Sequence, residues 1–189
     1  YVLEALRRDN PERALVSLYG ALAQGFTRNT FISGEGCALT PLDEGGRFLF
    51  CPPNSAANSY LLSTLRYALV QDWDLDDDGK PDTLRLLFAT PKRWLEDGET
   101  IQVERAPTAF GPVSVRMDSR LSQGEVLAIV ELPERNRPQQ ILLRARVPDG
   151  WKVDAARSGS KTLRVDPHGT VDLTPLKGKV EIRFQVSHT

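Results

Sequence analysis

Asp74-Leu75-Asp76-Asp77-Asp78-Gly79-Lys80-Pro81-Asp82-Thr83-Leu84-Arg85-Leu86-Leu87-Phe88 is the stretch where the sequence changes period. From Leu84 onward apolar residues recur at every second position, the spacing of one face of a strand. Upstream, Leu61, Leu65 and Leu69 recur in fours, the spacing of one face of a helix. The predicted fold class is therefore α+β by segment. Residues 1–72 are read as the end of a helical domain, 73–82 as a linker loop and 83–189 as an antiparallel β-sandwich.

The β reading rests on repeated alternation. Leu84, Leu86 and Phe88, then Ile101 and Val103, then Val113, Val115 and Met117 each alternate with their neighbours. Val126, Ala128 and Val130, then Ile141, Leu143, Ala145 and Val147, then Leu163 and Val165, then Val180, Ile182, Phe184 and Val186 continue the pattern. Turn pairs such as Asp97-Gly98, Asp149-Gly150, His168-Gly169 and Lys177-Gly178 separate the runs. Half-buried strands at short spacing predict an antiparallel sandwich, with Pro91 to Leu95 as one short helical turn.

Upstream, Asn10-Pro11-Glu12 starts a helix carrying Leu15, Leu18 and Leu22, because Asn caps, Pro suits the first position and Glu suits the first turn. A second helix is predicted from Ala56 to Val70, capped by Asn54 or Ser55. Phe26 to Asn54 reads as a long connection, a feature that in compact domains is often functional. Two helices cannot bury two apolar stripes between them. At least one stripe is therefore expected to stay partly exposed or to be covered by another chain, which fits a fragment of a larger protein.

The composition narrows the partners. The formal net charge is -1, with 40% hydrophobic and 26% charged residues, a balance that offers no attraction to nucleic acid or to an acidic membrane surface. No apolar run approaches the roughly 20 residues that span a bilayer. No signal-peptide pattern is visible at Tyr1, and Met117 is the single methionine. Cys37 and Cys51 are either a disulfide or two buried free thiols, and with His168 and His188 distant in sequence no zinc site is expected.

The Asp-rich stretch carries the sharpest chemistry. Five of the nine residues from Asp74 to Asp82 are acidic, in the pattern D-x-D-x-D-G-x-x-D. A calcium ion takes about six to eight oxygens at about 2.3–2.6 Å. Asp74, Asp76, Asp78 and Asp82 can converge on such an ion, Gly79 permits the sharp turn, and the Lys80 carbonyl supplies a further oxygen. Arg85 stands where an EF-hand has its bidentate Glu, so the loop is not an EF-hand; it resembles the calcium loops of extracellular modules that lead straight into a strand. The expected cofactor is a structural Ca2+, and the alternative is a solvated acidic turn.

Glu35, on Gly34-Glu35-Gly36, is a weaker candidate. A carboxylate on a Gly-flanked loop can bind sugar hydroxyls or act as acid or base, and Asp43 and Glu44 are alternatives beside it. Trp73, Trp94 and Trp151 can stack on sugar rings, but such residues are more often core or edge-packing, and these occur singly rather than as a platform.

Pro91-Lys92-Arg93-Trp94-Leu95-Glu96-Asp97-Gly98 and Ala106-Pro107-Thr108-Ala109-Phe110-Gly111-Pro112-Val113-Ser114, following a helical hairpin, resemble the tail of bacterial glycoside hydrolase-like proteins with an (α/α)6 barrel and a C-terminal β-sandwich. The resemblance implies that residues 1–72 end an α/α barrel. It further implies a secreted or periplasmic protein acting on carbohydrate, partnered by its own upstream barrel, with the principal catalytic carboxylates on that barrel. The alternative is a non-catalytic, calcium-stabilised carbohydrate-binding or adhesion module, which a line of exposed aromatics across one sheet face would favour.

Overall fold

A computed structural model describes residues 1–39 and 46–189. The chain divides into two compact units, Tyr1–Tyr67 and Ala68–Thr189.

The first unit holds helices α1 (Val2–Arg7) and α2 (Pro11–Gly25), a hairpin of β1 (Gly36–Leu39) and β2 (Arg47–Phe50), and most of α3 (Ser55–Leu69). Asn10 caps α2 by accepting from Arg13 N at 3.2 Å, with Pro11 at the first helical position. Asn54 caps α3 by accepting from Ala57 N at 2.8 Å. Leu15 and Leu18 are buried, while Leu61, Leu65 and Leu69 are half-buried and Leu62 is exposed, so one stripe does stay partly open. Cys37 and Cys51 are free and exposed.

The second unit has two sheets. One runs β10 (Lys161–Leu163), β9 (Trp151–Ser158), β12 (Lys179–His188), β7 (Glu125–Glu131), β6 (Val113–Arg120), β5 (Thr100–Ala106). The other runs β11 (Thr170–Asp172), β8 (Gln140–Arg144), β4 (Thr83–Leu86), β3 (Val70–Trp73). Both sheets feed one core: Leu84 and Leu86 of β4 and Ile141 and Leu143 of β8 share a buried cluster with Met117, Val126, Ile182 and Phe184 of the larger sheet. Alternation makes this possible, as in β6, where Val113, Val115, Met117 and Ser119 face inward. From Gly98 to His188 there is no α-helix, only the single short turn Leu121–Gln123.

Three details depart from the sequence reading. β4 pairs with β8 in parallel, Leu84 opposite Ile141, so the four-stranded sheet is mixed, while the six-stranded sheet is antiparallel throughout. The chain visits the larger sheet between these two strands, which supplies the long crossover that a parallel pair needs. β4 also ends at Leu86: Leu87 takes a φ of 60° and its N–H donates to Leu69 O at 2.7 Å, so Phe88 leaves the strand. Phe88 instead lies under the guanidinium of Arg144, 3.9 Å from its ring centre, with that of Arg85 at 5.3 Å. Finally, β3 begins directly after α3, so Val70 to Asp72, read as the end of the helical domain, are strand.

Candidate functional site

The Asp-rich stretch is the loop of the β3–β4 hairpin. Val70 pairs with Leu86 and Trp73 with Thr83, and Asp82 N closes the ladder on Trp73 O at 2.8 Å. Inside the loop the carboxylates replace the missing ladder partners. Asp74 accepts from Asp78 N at 3.2 Å and from Gly79 N at 2.8 Å; Asp76 accepts from Asp78 N at 3.3 Å; Asp78 accepts from Lys80 N at 2.8 Å. Gly79, at φ 88°, makes the turn that wraps the chain around Asp74.

This wrapping brings Asp74, Asp76 and Asp78 together, one carboxylate oxygen of each lying within 4.8 Å of the others. Asp82 does something different. It is 7% exposed, one oxygen accepts from Leu75 N at 2.5 Å and from Asp76 N at 3.1 Å, and the other is bonded by the Thr83 hydroxyl. Lys80 is exposed.

The electrostatics follow from the crowding. The Asp78 N–H holds the Asp76 carboxyl down, yet desolvation, the charges of Asp78 and Asp82 and a hydrogen bond to Asp74 together outweigh it and raise its pKa. Burial pushes Asp82 up, but the Thr83 hydroxyl, the Leu75 and Asp76 N–H groups and Arg85 overcome it and bring its pKa below the usual range. The donor set fits a hard divalent cation. An ionised carboxylate has about four lone-pair sites, and with one oxygen of each within 4.8 Å of the others Asp74, Asp76 and Asp78 could hold an ion.

Glu35 lies elsewhere, on the segment that ties the elements of the first unit together. Ser33 Oγ donates to Asn54 O at 2.6 Å, Gly34 N donates to Gly25 O at 3.1 Å, and Glu35 N donates to Phe50 O at 2.8 Å. Gly34 is required there, because a Cβ would sit 2.9 Å from Gly36 O and 3.0 Å from Phe50 O. The clamp sets Glu35 at a pocket of about 270 Å³ lined by Leu18, Ala21, Phe26, Tyr60 and Leu61 among others. Glu35 is the one acidic residue lining it among the described residues. Asp43 and Glu44 fall outside the described residues. The pocket itself was not foreseen; the glycines flanking Glu35 were its only trace in the sequence.

The two short motifs are structural braces. In the first, Ser119 Oγ donates to Leu95 O at 2.7 Å, Gly98 N to Ser119 O at 3.1 Å and Ser122 N to Asp97 at 3.0 Å, fixing the 3-10 turn Lys92–Leu95 against the end of β6. In the second, Ala109 N donates to Asp72 at 2.8 Å, anchoring the turn before β6 to β3. Trp73 donates its indole N–H to Gln71 at 2.8 Å and Trp151 stacks edge-on against His188, with ring centres 5.4 Å apart. Compared with known proteins, the chain matches no family model, no curated protein and no solved structure at a significant level. Among the described residues no helix is long and apolar enough to cross a membrane.

Proposed function

We propose that the chain is the C-terminal part of a carbohydrate-active, glycoside hydrolase-like protein, in which Ala68–Thr189 forms a calcium-stabilised β-sandwich acting as structural or accessory domain. The observation that carries the proposal is the convergence of Asp74, Asp76 and Asp78 within 4.8 Å in the loop joining two neighbouring strands. A cation there relieves the repulsion that raises Asp76 and pins β3 to β4, whose Val70, Leu84 and Leu86 belong to the core. Asp74, Asp76 and Asp78 are its side-chain ligands, the Lys80 carbonyl adds an oxygen, and Asp82 joins them only by turning one oxygen from its N–H partners. Calcium fits better than magnesium, because a loop ion with several carboxylates tolerates irregular geometry and a larger radius.

The α/α-barrel reading of the helical unit is supported by its open apolar surface. Val16, Tyr19 and Leu62 are exposed and Leu65 half-buried, a surface that barrel neighbours would cover. Glu35 is the catalytic candidate. Glycoside hydrolysis uses a pair of carboxyl groups, so this chain alone is expected to be inactive. Secretion or export to the periplasm follows from the same reading, since extracellular calcium modules work at about 10⁻⁴–10⁻³ M ion.

The binding-module alternative gains little support. Trp94 is the one large apolar side chain of Ala68–Thr189 that is openly exposed, and it lies on a helical turn rather than a sheet face. Native electrophoresis through gels cast with soluble polysaccharides, with and without calcium, separates the two. Unretarded migration supports the scaffold role, and retardation supports the binding module. Absence of calcium binding by calorimetry overturns both.

A further inference from the structure

The pocket of the helical unit has a chemistry that the cation loop does not explain. Its walls are mainly apolar: Leu18 and Phe26 are buried and Ala21 and Leu61 lie beside them, with Gln24, Cys37 and Thr64 also on the lining. At about 270 Å³ it exceeds the ~150 Å³ of a cavity that takes benzene. Glu35, an exposed residue, is the one acidic residue lining it among the described residues, and it forms no ion pair and no side-chain hydrogen bond among them. Its backbone is held by Phe50 and, through Ser33 and Gly34, by the ends of α2 and α3, so the charge is presented on a fixed segment. Tyr60 lines the same pocket, and aromatic faces attract cations.

We infer that this pocket binds a small organic ammonium ion, its single ring or short alkyl chain against Leu18, Phe26 and Leu61 and its positive head between Glu35 and Tyr60. The inference needs only the charge of Glu35 and stands apart from any catalytic role for it.

The test is titration of the full chain with n-hexylammonium, n-hexanol and n-hexanoate, followed by amide chemical shifts. The ammonium saturates first, shifting Ala21, Phe26 and Leu61, and the carboxylate binds most weakly. Glu35→Gln weakens ammonium binding by roughly three- to fivefold at low salt, the yield of one exposed ion pair, and leaves hexanol unchanged. Ala21→Phe, at an exposed helix position, fills the pocket and abolishes binding of all three while circular dichroism stays unaltered. Equal affinity for the three probes, no saturation, or indifference to Glu35→Gln overturns the inference.

Discussion

Asp82 is the hinge of the hairpin loop, and replacing it tests whether the loop is a built structure or a solvated turn. Asp82→Ala removes one charged acceptor from Leu75 N and Asp76 N and from the Thr83 hydroxyl, which is itself 4% exposed. A hydrogen bond to a charged group contributes about 1.5–3 kcal/mol. Leu75 and Asp76 lie near solvent and recover part of that from water, so the expected loss is about 2–4 kcal/mol. Asp82→Asn keeps one acceptor oxygen and should lose roughly half as much. All three tryptophans, Trp73, Trp94 and Trp151, lie in Ala68–Thr189, so urea unfolding followed by their fluorescence reads this unit without interference from the helical one. The titration is run in chelator, so that no ion contributes. A loss below about 0.5 kcal/mol, the range of ordinary surface substitutions, would refute the reasoning.

Three further outcomes follow from the same structure. The Arg116 guanidinium, against the opposing effect of burial and with help from Thr100, lowers the Asp118 pKa, so its contribution is complete above the unfolded value of about 3.9 and is lost as pH falls through the lower folded value. Asp118→Asn should therefore cost about 1 kcal/mol at neutral pH and nothing in strong acid; a penalty that persists there would contradict the sign. Phe184→Ala, at a fully buried ring shared by both sheets, should cost about 3–5 kcal/mol by urea unfolding, and a cost under about 1 would mean the two sheets do not share a core. Gly169→Ala places a Cβ 2.6 Å from Ala145 O at a φ of 77°, so it should cost at least about 1–2 kcal/mol; a neutral substitution would show that the turn before β11 is not held as described.

What the sequence made legible follows from regular alternation. β6, β7 and β12 were visible because Val113, Val115 and Met117, or Ile182, Phe184 and Val186, keep one face inward without interruption. β9 was hidden by a bulge. Gln185 faces Ala155 and Val186 faces Val153, so Asp154 is inserted and the inward face shifts along the strand. β1 and β2, four residues each, were lost inside the Phe26–Asn54 connection, because strands so short show almost no period. The parallel β4–β8 pair was illegible, since its partners stand far apart in sequence and alternation carries no direction. At the loop, the D-x-D-x-D spacing foretold that Asp74, Asp76 and Asp78 would meet, because Gly79 folds the chain back on Asp74. It did not foretell that Asp82 would turn to backbone N–H groups, a choice made by the closing register of the hairpin.

The central claim is that the hairpin loop binds calcium, and thermal unfolding of the full chain and of Asp76→Asn, each in calcium and in chelator, tests it most directly. For the wild type, calcium at about a hundred times its dissociation constant adds about 2.7 kcal/mol, which raises the tryptophan-reported midpoint by roughly 5–10 °C. Asp76→Asn should lose that increment. In chelator its midpoint should equal or exceed that of the wild type, because the substitution removes a carboxylate whose charge its neighbours disfavour. A wild-type midpoint indifferent to calcium, or an equal calcium shift in Asp76→Asn, would contradict the account.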